Sequence, residues 1–160
     1  MFGKKIILVG SGASGKDFLR QNFQYHLNLK YGISCTTRPP RDGEFDGDDY
    51  RFISKFEFEK KVELGQMLQY ANFGSAYYGT SREDFENCNL FIMSPDGLKQ
   101  LSKEDRLKCN VIWVKSDENI IYGRLKKRGM SEEEINDRLF ADYSLFMDFI
   151  DYDYIIINDK

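Results

Sequence analysis

The segment Gly10-Ser11-Gly12-Ala13-Ser14-Gly15-Lys16 follows directly on the apolar run Ile6-Ile7-Leu8-Val9. A short run of this kind predicts a buried strand, and the glycines break it into a loop that ends on a lysine. Glycine, four residues, then glycine-lysine is the spacing that lets successive backbone N–H groups curl around a phosphate while the ammonium reaches its oxygens. Leu19, Phe23 and Leu27 recur at helical spacing after Lys16. They predict a helix packed on a sheet, whose N-terminus completes the anion site. A purely structural strand, turn and helix is the alternative, and the helical spacing speaks against it. Loops of this type carry a serine or threonine after the lysine to bind magnesium, but here Asp17 stands there, followed by Phe18.

With 160 residues, 41% of them hydrophobic, the chain suits one domain with a full core. A net charge of −3 and a pI near 5.3 exclude a nucleic-acid duplex as the main partner, so basic residues act by placement. Cys35, Cys88 and Cys109 are odd in number and widely spaced. They form neither a metal pattern nor a disulfide framework, and read as reduced intracellular thiols. The apolar run after Lys4 and Lys5 is too short for a signal peptide, and no segment has the length of a membrane span. The expectation is a soluble cytoplasmic protein, monomer or homodimer, without nucleic-acid or membrane partners.

Along the chain, Tyr31 to Cys35 predicts a short strand, and the prolines of Arg38-Pro39-Pro40-Arg41 block regular structure after it. The following acidic turn, with Asp42, Glu44, Asp46, Asp48 and Asp49, has the composition of a solvated surface. Lys55 to Glu63 predicts a helix, Met67 to Phe73 and Ala76 to Tyr78 two strands around a glycine turn, and Ser81 with Asp84 a helix start. Leu90 to Met93, Val111 to Val114 and Tyr154 to Ile157 have the unbroken apolar character of buried parallel strands. Helices are predicted over Pro95 to Ser102, Asp117 to Lys126 and Glu132 to about Phe149. The last is capped by Ser131 with Glu134 and striped by Ile135, Leu139, Tyr143 and Phe146. Alternation of strands and helices implies an α/β fold whose parallel sheet is covered on both faces.

Taken together, the phosphate loop, Ser34-Cys35-Thr36-Thr37-Arg38-Pro39-Pro40-Arg41-Asp42-Gly43-Glu44, Asp49-Tyr50, Tyr77-Tyr78-Gly79-Thr80-Ser81, Arg124-Leu125-Lys126-Lys127-Arg128-Gly129 and Asn158-Asp159 resemble the guanylate kinase family nearly end to end. The resemblance implies a P-loop kinase fold, a parallel sheet flanked by helices. Residues 1–33, 81–123 and 139–160 would form its core, 34–80 a nucleoside-monophosphate-binding subdomain and 124–138 a lid. It implies ATP and Mg2+ as cofactors and phosphoryl transfer to a nucleoside monophosphate. By the same resemblance Gly10 to Lys16, with Asp17, would hold the ATP phosphates, and Asn158 would lie near its adenine. Arg38, Arg41, Tyr50 and Tyr78 would hold the acceptor phosphate. Arginines on a proline-stiffened loop suit a phosphate dianion, and tyrosine hydroxyls add neutral donors. Arg124, Arg128 and Arg138 would be lid arginines closing over the phosphoryl group in transit. Arg138 comes one residue sooner after Arg128 than the family pattern has it. Solvated basic surface and aromatic packing are the plainer readings of these residues.

The chain departs from the family where guanine is read. Ser34 is kept, but Gln69 replaces a carboxylate, and the acidic segment after the fourth strand is Ile92-Met93-Ser94. A carboxylate only accepts, whereas an amide both accepts and donates. Gln69 therefore suits a thymine or uracil edge, or adenine, as well as guanine, with Thr80 and Ser94 nearby. GMP, dGMP or an altered base is the expected acceptor. Magnesium has lost its usual hydroxyl, leaving Asp17 through a water, or Asp96 from the following turn. A guanylate-kinase-like interaction module without turnover is the competing reading; such modules commonly lose the loop lysine, which is present here as Lys16.

Overall fold

In the computed structural model, which describes residues 3–160, Ile7, Leu8 and Val9 have no exposed surface at all. They form β1 (Lys5–Val9), whose neighbours give a four-stranded parallel sheet in the order β6 (Leu90–Ile92), β1, β7 (Cys109–Lys115), β8 (Tyr154–Ile157). Successive side chains point to opposite faces of a strand, and both faces are packed. Ile7, Val9, Phe91 and Val111 meet Leu68, Phe85 and Leu98 on one side, while Leu8, Leu90, Ile112 and Val114 meet Leu19 and Phe23 of α1 (Lys16–Leu27) on the other. Each such aliphatic side chain contributes about 1.5–3 kcal/mol by leaving water.

A second four-stranded sheet is made wholly from residues 35–81. Its order is β3 (Arg51–Phe52), β2 (Cys35–Thr36), β5 (Ala76–Ser81), β4 (Met67–Phe73), with α2 (Lys55–Glu63) beside it. Phe58 of α2 is 1% exposed and stacks on Tyr77. Its helix starts at Ser54, whose hydroxyl and the Glu57 carboxylate satisfy each other's backbone N–H groups. The β4–β5 hairpin turns at Gly74, and β5 continues to Ser81, beyond the expected Tyr78.

The remaining helices are α3 (Arg82–Asn87), α4 (Pro95–Leu98), α5 (Lys103–Leu107), α6 (Glu118–Lys127) and α7 (Glu132–Phe146). The capping pair Ser131 and Glu134 opens α7 as its spacing predicts. Several further expectations require correction. The strand expected over Tyr31 to Cys35 is confined to Cys35 and Thr36. Tyr31 makes a single bridge to Leu90, because here the chain leaves the edge of one sheet for the other. The helix expected from Pro95 to Ser102 stops at Leu98, and the Ser102 hydroxyl caps a separate turn of helix, α5. The long helix ends at Phe146, since Phe146, Phe149 and Tyr152 wrap around the Trp113 ring. Finally, β8 lies on the sheet edge and leaves Tyr154, Ile155 and Ile157 exposed, and the α7 stripe is buried at Ile135 but not at Tyr143.

Candidate active site

Between β1 and α1 the backbone reverses through left-handed conformations at Ala13 (φ 59°) and Gly15 (φ 92°). Alternation of this kind turns N–H groups inward and makes an anion-binding concavity. For Ala13 the conformation costs about 1–2 kcal/mol. It is held by packing of that residue against Ile121, Leu125 and Ile135 of α6 and α7. The Lys16 ammonium donates to the carbonyls of Gly10 and Ser11, both at 2.8 Å. Burial lowers its pKa to about 8, against the opposing influence of Asp17 and Asp142. Ser14 is fully buried, and its hydroxyl has no hydrogen-bond partner among the described residues.

A cavity of about 670 Å³ opens from this loop, within the range of ligand pockets. Gly10, Gly12 and Lys16 line it at the loop, Arg38, Arg41, Tyr50 and Tyr78 along one wall, Ser34, Gln69 and Ser94 at one end, and Arg138 with Asp142 from α7. Eleven residues expected to bind donor, acceptor or phosphoryl group thus border one space, joined by Asp142. Among the others, Ser11, Ala13, Ser14 and Gly15 complete the loop beneath it, and Thr80 is wholly buried behind Gln69.

Arg124 and Arg128, expected as lid arginines, and Asn158, expected near the adenine, do not line the cavity. The Arg124 guanidinium donates to the carbonyls of Ala13 (3.0 Å), Asn158 (3.0 Å) and Lys160 (2.6 Å) and to the Ser116 hydroxyl (3.0 Å). The Asn158 amide donates to the Ser14 carbonyl at 3.0 Å. The two side chains brace the loop against β8 and do not line the cavity. Arg128 caps the C-terminal end of α6 and is exposed, with its charge felt at Lys16. Arg138, by contrast, lies directly over Gly12, so closely that a Cβ there would collide with the guanidinium.

The Arg38 guanidinium is held on three sides. It forms a fork with Glu44 at 2.6 and 2.7 Å, its Nε donates to the Tyr78 hydroxyl at 3.1 Å, and it sits over the Tyr50 ring at 5.1 Å. Glu44 holds the Arg38 charge, and Arg38 keeps the Glu44 carboxyl below its ordinary pKa. Burial raises the Tyr50 pKa to about 12, leaving a neutral hydroxyl donor near neutral pH. Arg41 is exposed, and its guanidinium makes no ion pair or hydrogen bond among the described residues. The acidic turn is largely exposed, as its composition predicts, and three of its carboxylates also order it: Asp46 accepts from the Phe52 N–H, Asp49 from that of Phe45, and Glu44 from that of Arg41.

At the far end the groups are polar and uncharged. Gln69 is 5% exposed, and its amide donates to the Thr80 hydroxyl at 2.9 Å. The Gln69 carbonyl packs on Gly97 so closely that a side chain at that position would strike it. The Ser94 hydroxyl accepts from the Gly97 N–H at 3.0 Å, and Ser34 is buried. The described residues hold no cluster of three or more potential metal ligands. Magnesium takes most of its ligands from nucleotide phosphates and water, so a single nearby carboxylate is compatible with it. Asp17, exposed in the first turn of α1 and 3.7 Å from Arg20, is such a group. Asp96 pairs with Lys99 at 3.1 Å, and neither it nor Asp17 borders the cavity; Asp17 is the one that directly follows Lys16 of the phosphate loop.

Two carboxylates make bonds that the sequence does not announce: Asp84, expected only as part of the helix start that Ser81 caps, and Asp142. Asp84, 7% exposed, forks onto Arg51 at 2.6 and 3.0 Å, joining α3 to β3. Asp142 accepts from the Gly12 N–H at 2.7 Å. Its spacing from Arg138, four residues along a helix, was the one available signal.

A family model described as guanylate kinase matches residues 2–160. The guanylate kinase of Aster yellows witches'-broom phytoplasma (strain AYWB) is 36% identical over 169 aligned residues, covering 99% of this chain and 80% of the relative. That of Helicobacter pylori (strain ATCC 700392 / 26695) is 34% identical over 162, covering 96% and 79%. In fold, the chain superposes on the crystal structure of guanylate kinase from Anaplasma phagocytophilum with a TM-score of 0.72 at 23% identity, over 100% of this chain and 80% of that one. Full-length agreement in sequence and in fold places the chain in the guanylate kinase family.

Proposed function

We propose that this cleft transfers the terminal phosphoryl group of ATP to a nucleoside monophosphate, with GMP as the acceptor that the relatives' name indicates. The observation that carries the reading is the single cavity shared by Lys16 of the phosphate loop, the Arg38, Arg41, Tyr50 and Tyr78 wall, and Arg138. An acceptor phosphate held on that wall faces a donor phosphate held on the loop. Transfer in this geometry needs positioning and neutralisation of charge rather than a strong base. Lys16 and Arg138 supply positive charge at the transferring group, and Arg38 and Arg41 at the acceptor. Arg124 and Asn158 keep the loop in shape from behind. Magnesium, held by the phosphates and through a water by Asp17, would neutralise donor charge. Residues 34–80 serve as the acceptor-binding unit and 124–138 as the lid.

The base end modifies the reading. Guanine offers N–H donors at N1 and at its 2-amino group, and a carboxylate accepts both strongly. Gln69 and Ser94 offer neutral acceptors only, so guanine is favoured over hypoxanthine and adenine by less than a charged site would give. The interaction-module alternative is not favoured, because Lys16 and Arg138 both stand at the loop. The test is incubation with ATP and magnesium against each common ribo- and deoxynucleoside monophosphate. GMP should yield GDP and ADP in equal amounts; no diphosphate from any acceptor would overturn the reading.

A further inference from the structure

Asp142 lies on the inner face of α7, one helical turn after Arg138. One of its carboxylate oxygens accepts from the Gly12 N–H at 2.7 Å and stands 4.0 Å from the Arg138 Nε. The same loop residue, Gly12, has the Arg138 guanidinium against its Cα. Asp142 thus hydrogen-bonds one member of the contact between lid and phosphate loop and stands at ion-pair distance from the other. The two side chains differ in freedom: Arg138 keeps 45% of its surface exposed, Asp142 only 18%. Nearby, Ile135 and Leu139 pack with Ala13 and fix the axis of α7 against the loop. This apolar contact sets the distance of the helix, but it leaves the long arginine free to turn.

We propose that Asp142 is a positioning residue for phosphoryl transfer, latching α7 to the Gly12 N–H and holding the Arg138 guanidinium over the phosphate loop. The inference rests on the kinase reading above. An arginine that must be ordered during the reaction loses rotamer freedom at that moment, whereas one already held does not. A carboxylate also steers the guanidinium by charge as well as by contact. Asp142 bonds the loop backbone and faces Arg138 at ion-pair distance, and is assigned no contact with the transferring group.

The experiment compares Asp142→Ala and Asp142→Asn with the unaltered chain, and repeats Asp142→Ala in an Arg138→Ala background. Turnover by the unaltered chain tests the kinase reading separately, so the two can fail independently. Asp142→Ala is expected to lower kcat by about tenfold to a hundredfold, with KM for GMP within about twofold. Asp142→Asn retains an oxygen for the Gly12 N–H and should recover part of the loss. In the Arg138→Ala background the same substitution should have little further effect, because nothing remains to be positioned. An unchanged or raised kcat, with tighter ATP binding, would overturn the proposal by showing that the carboxylate competes with phosphate for the Gly12 N–H. An equal loss with and without Arg138 would also overturn it, as the signature of a structural role. Should Asp142→Ala fail to fold, the coupling of Asp142→Asn to Arg138→Ala decides.

Discussion

Arg38 and Glu44, six residues apart on one loop, meet in a two-bond fork at 2.6 and 2.7 Å beside the cleft. The pair sets the plane of the guanidinium, whose Nε is taken by Tyr78. Together with Pro39 and Pro40, Glu44 stiffens the loop before any phosphate arrives. An arriving acceptor phosphate therefore meets an arginine that is already oriented.

If that is the role of Glu44, its removal should loosen the acceptor site and spare the donor site. Glu44→Ala is expected to raise KM for GMP by about tenfold, the equivalent of about 1.4 kcal/mol. KM for ATP should change little. Steady-state kinetics with each substrate varied in turn separate the two.

A second prediction concerns pH. The Lys16 pKa is lowered from 10.5 to about 8, so the free protein loses the ammonium as pH rises through that value. The ratio kcat/KM for ATP should fall above pH 8, following the charge that meets the phosphates. Folding stability moves the other way. Between pH 8 and 10.5 the unfolded chain holds a proton on this lysine that the folded chain has released, so this group's contribution to stability rises with pH. Lys16→Met should abolish turnover and remove that part of the pH dependence, read by urea denaturation across the window.

A third prediction addresses the base end. Gln69→Glu places a charged acceptor where the amide carbonyl now packs on Gly97. It should raise the ratio of kcat/KM for GMP over IMP by about tenfold, since only guanine carries the 2-amino group. A ratio unmoved by the substitution would mean that Gln69 does not face the base.

Stability gives a fourth. Asp84 accepts a fork from Arg51 and a further contact from Ser81 while nearly buried. Asp84→Ala removes these bonds, and Arg51, 45% exposed in its side chain, turns to water. The expected loss is about 2 kcal/mol, seen as a lower urea midpoint with an unchanged slope.

How much of this was legible beforehand differs by the physical origin of each feature. The phosphate loop could be read because its chemistry resides in consecutive backbone groups, fixed by the glycines and Lys16. The strands β1, β6 and β7 announced themselves by unbroken apolar runs, and α7 by the capping pair Ser131 and Glu134. The edge position of β8 could not be read, since Tyr154 to Ile157 has the same apolar composition as a central strand and only neighbours decide its exposure. The break after Leu98 was hidden for a related reason: Gln100 turns to the backbone of Tyr70, thirty residues away. Within the site, Arg38, Arg41, Tyr50 and Tyr78 came from recognisable blocks of sequence. Asp142 did not, because its partner is a backbone N–H 130 residues earlier. The direction of Arg124 was equally invisible, being set by carbonyl groups of the loop and of β8's end.

The most direct test of the account is binding of a bisubstrate analogue, adenosine and guanosine joined tail to tail by a pentaphosphate chain. One analogue should bind per protein chain by calorimetry and compete with both ATP and GMP, and Lys16→Met and Arg38→Ala should each weaken it. An analogue that competes with only one of the two nucleotides, or that binds as two independent copies, would contradict a single cleft holding donor and acceptor phosphates together.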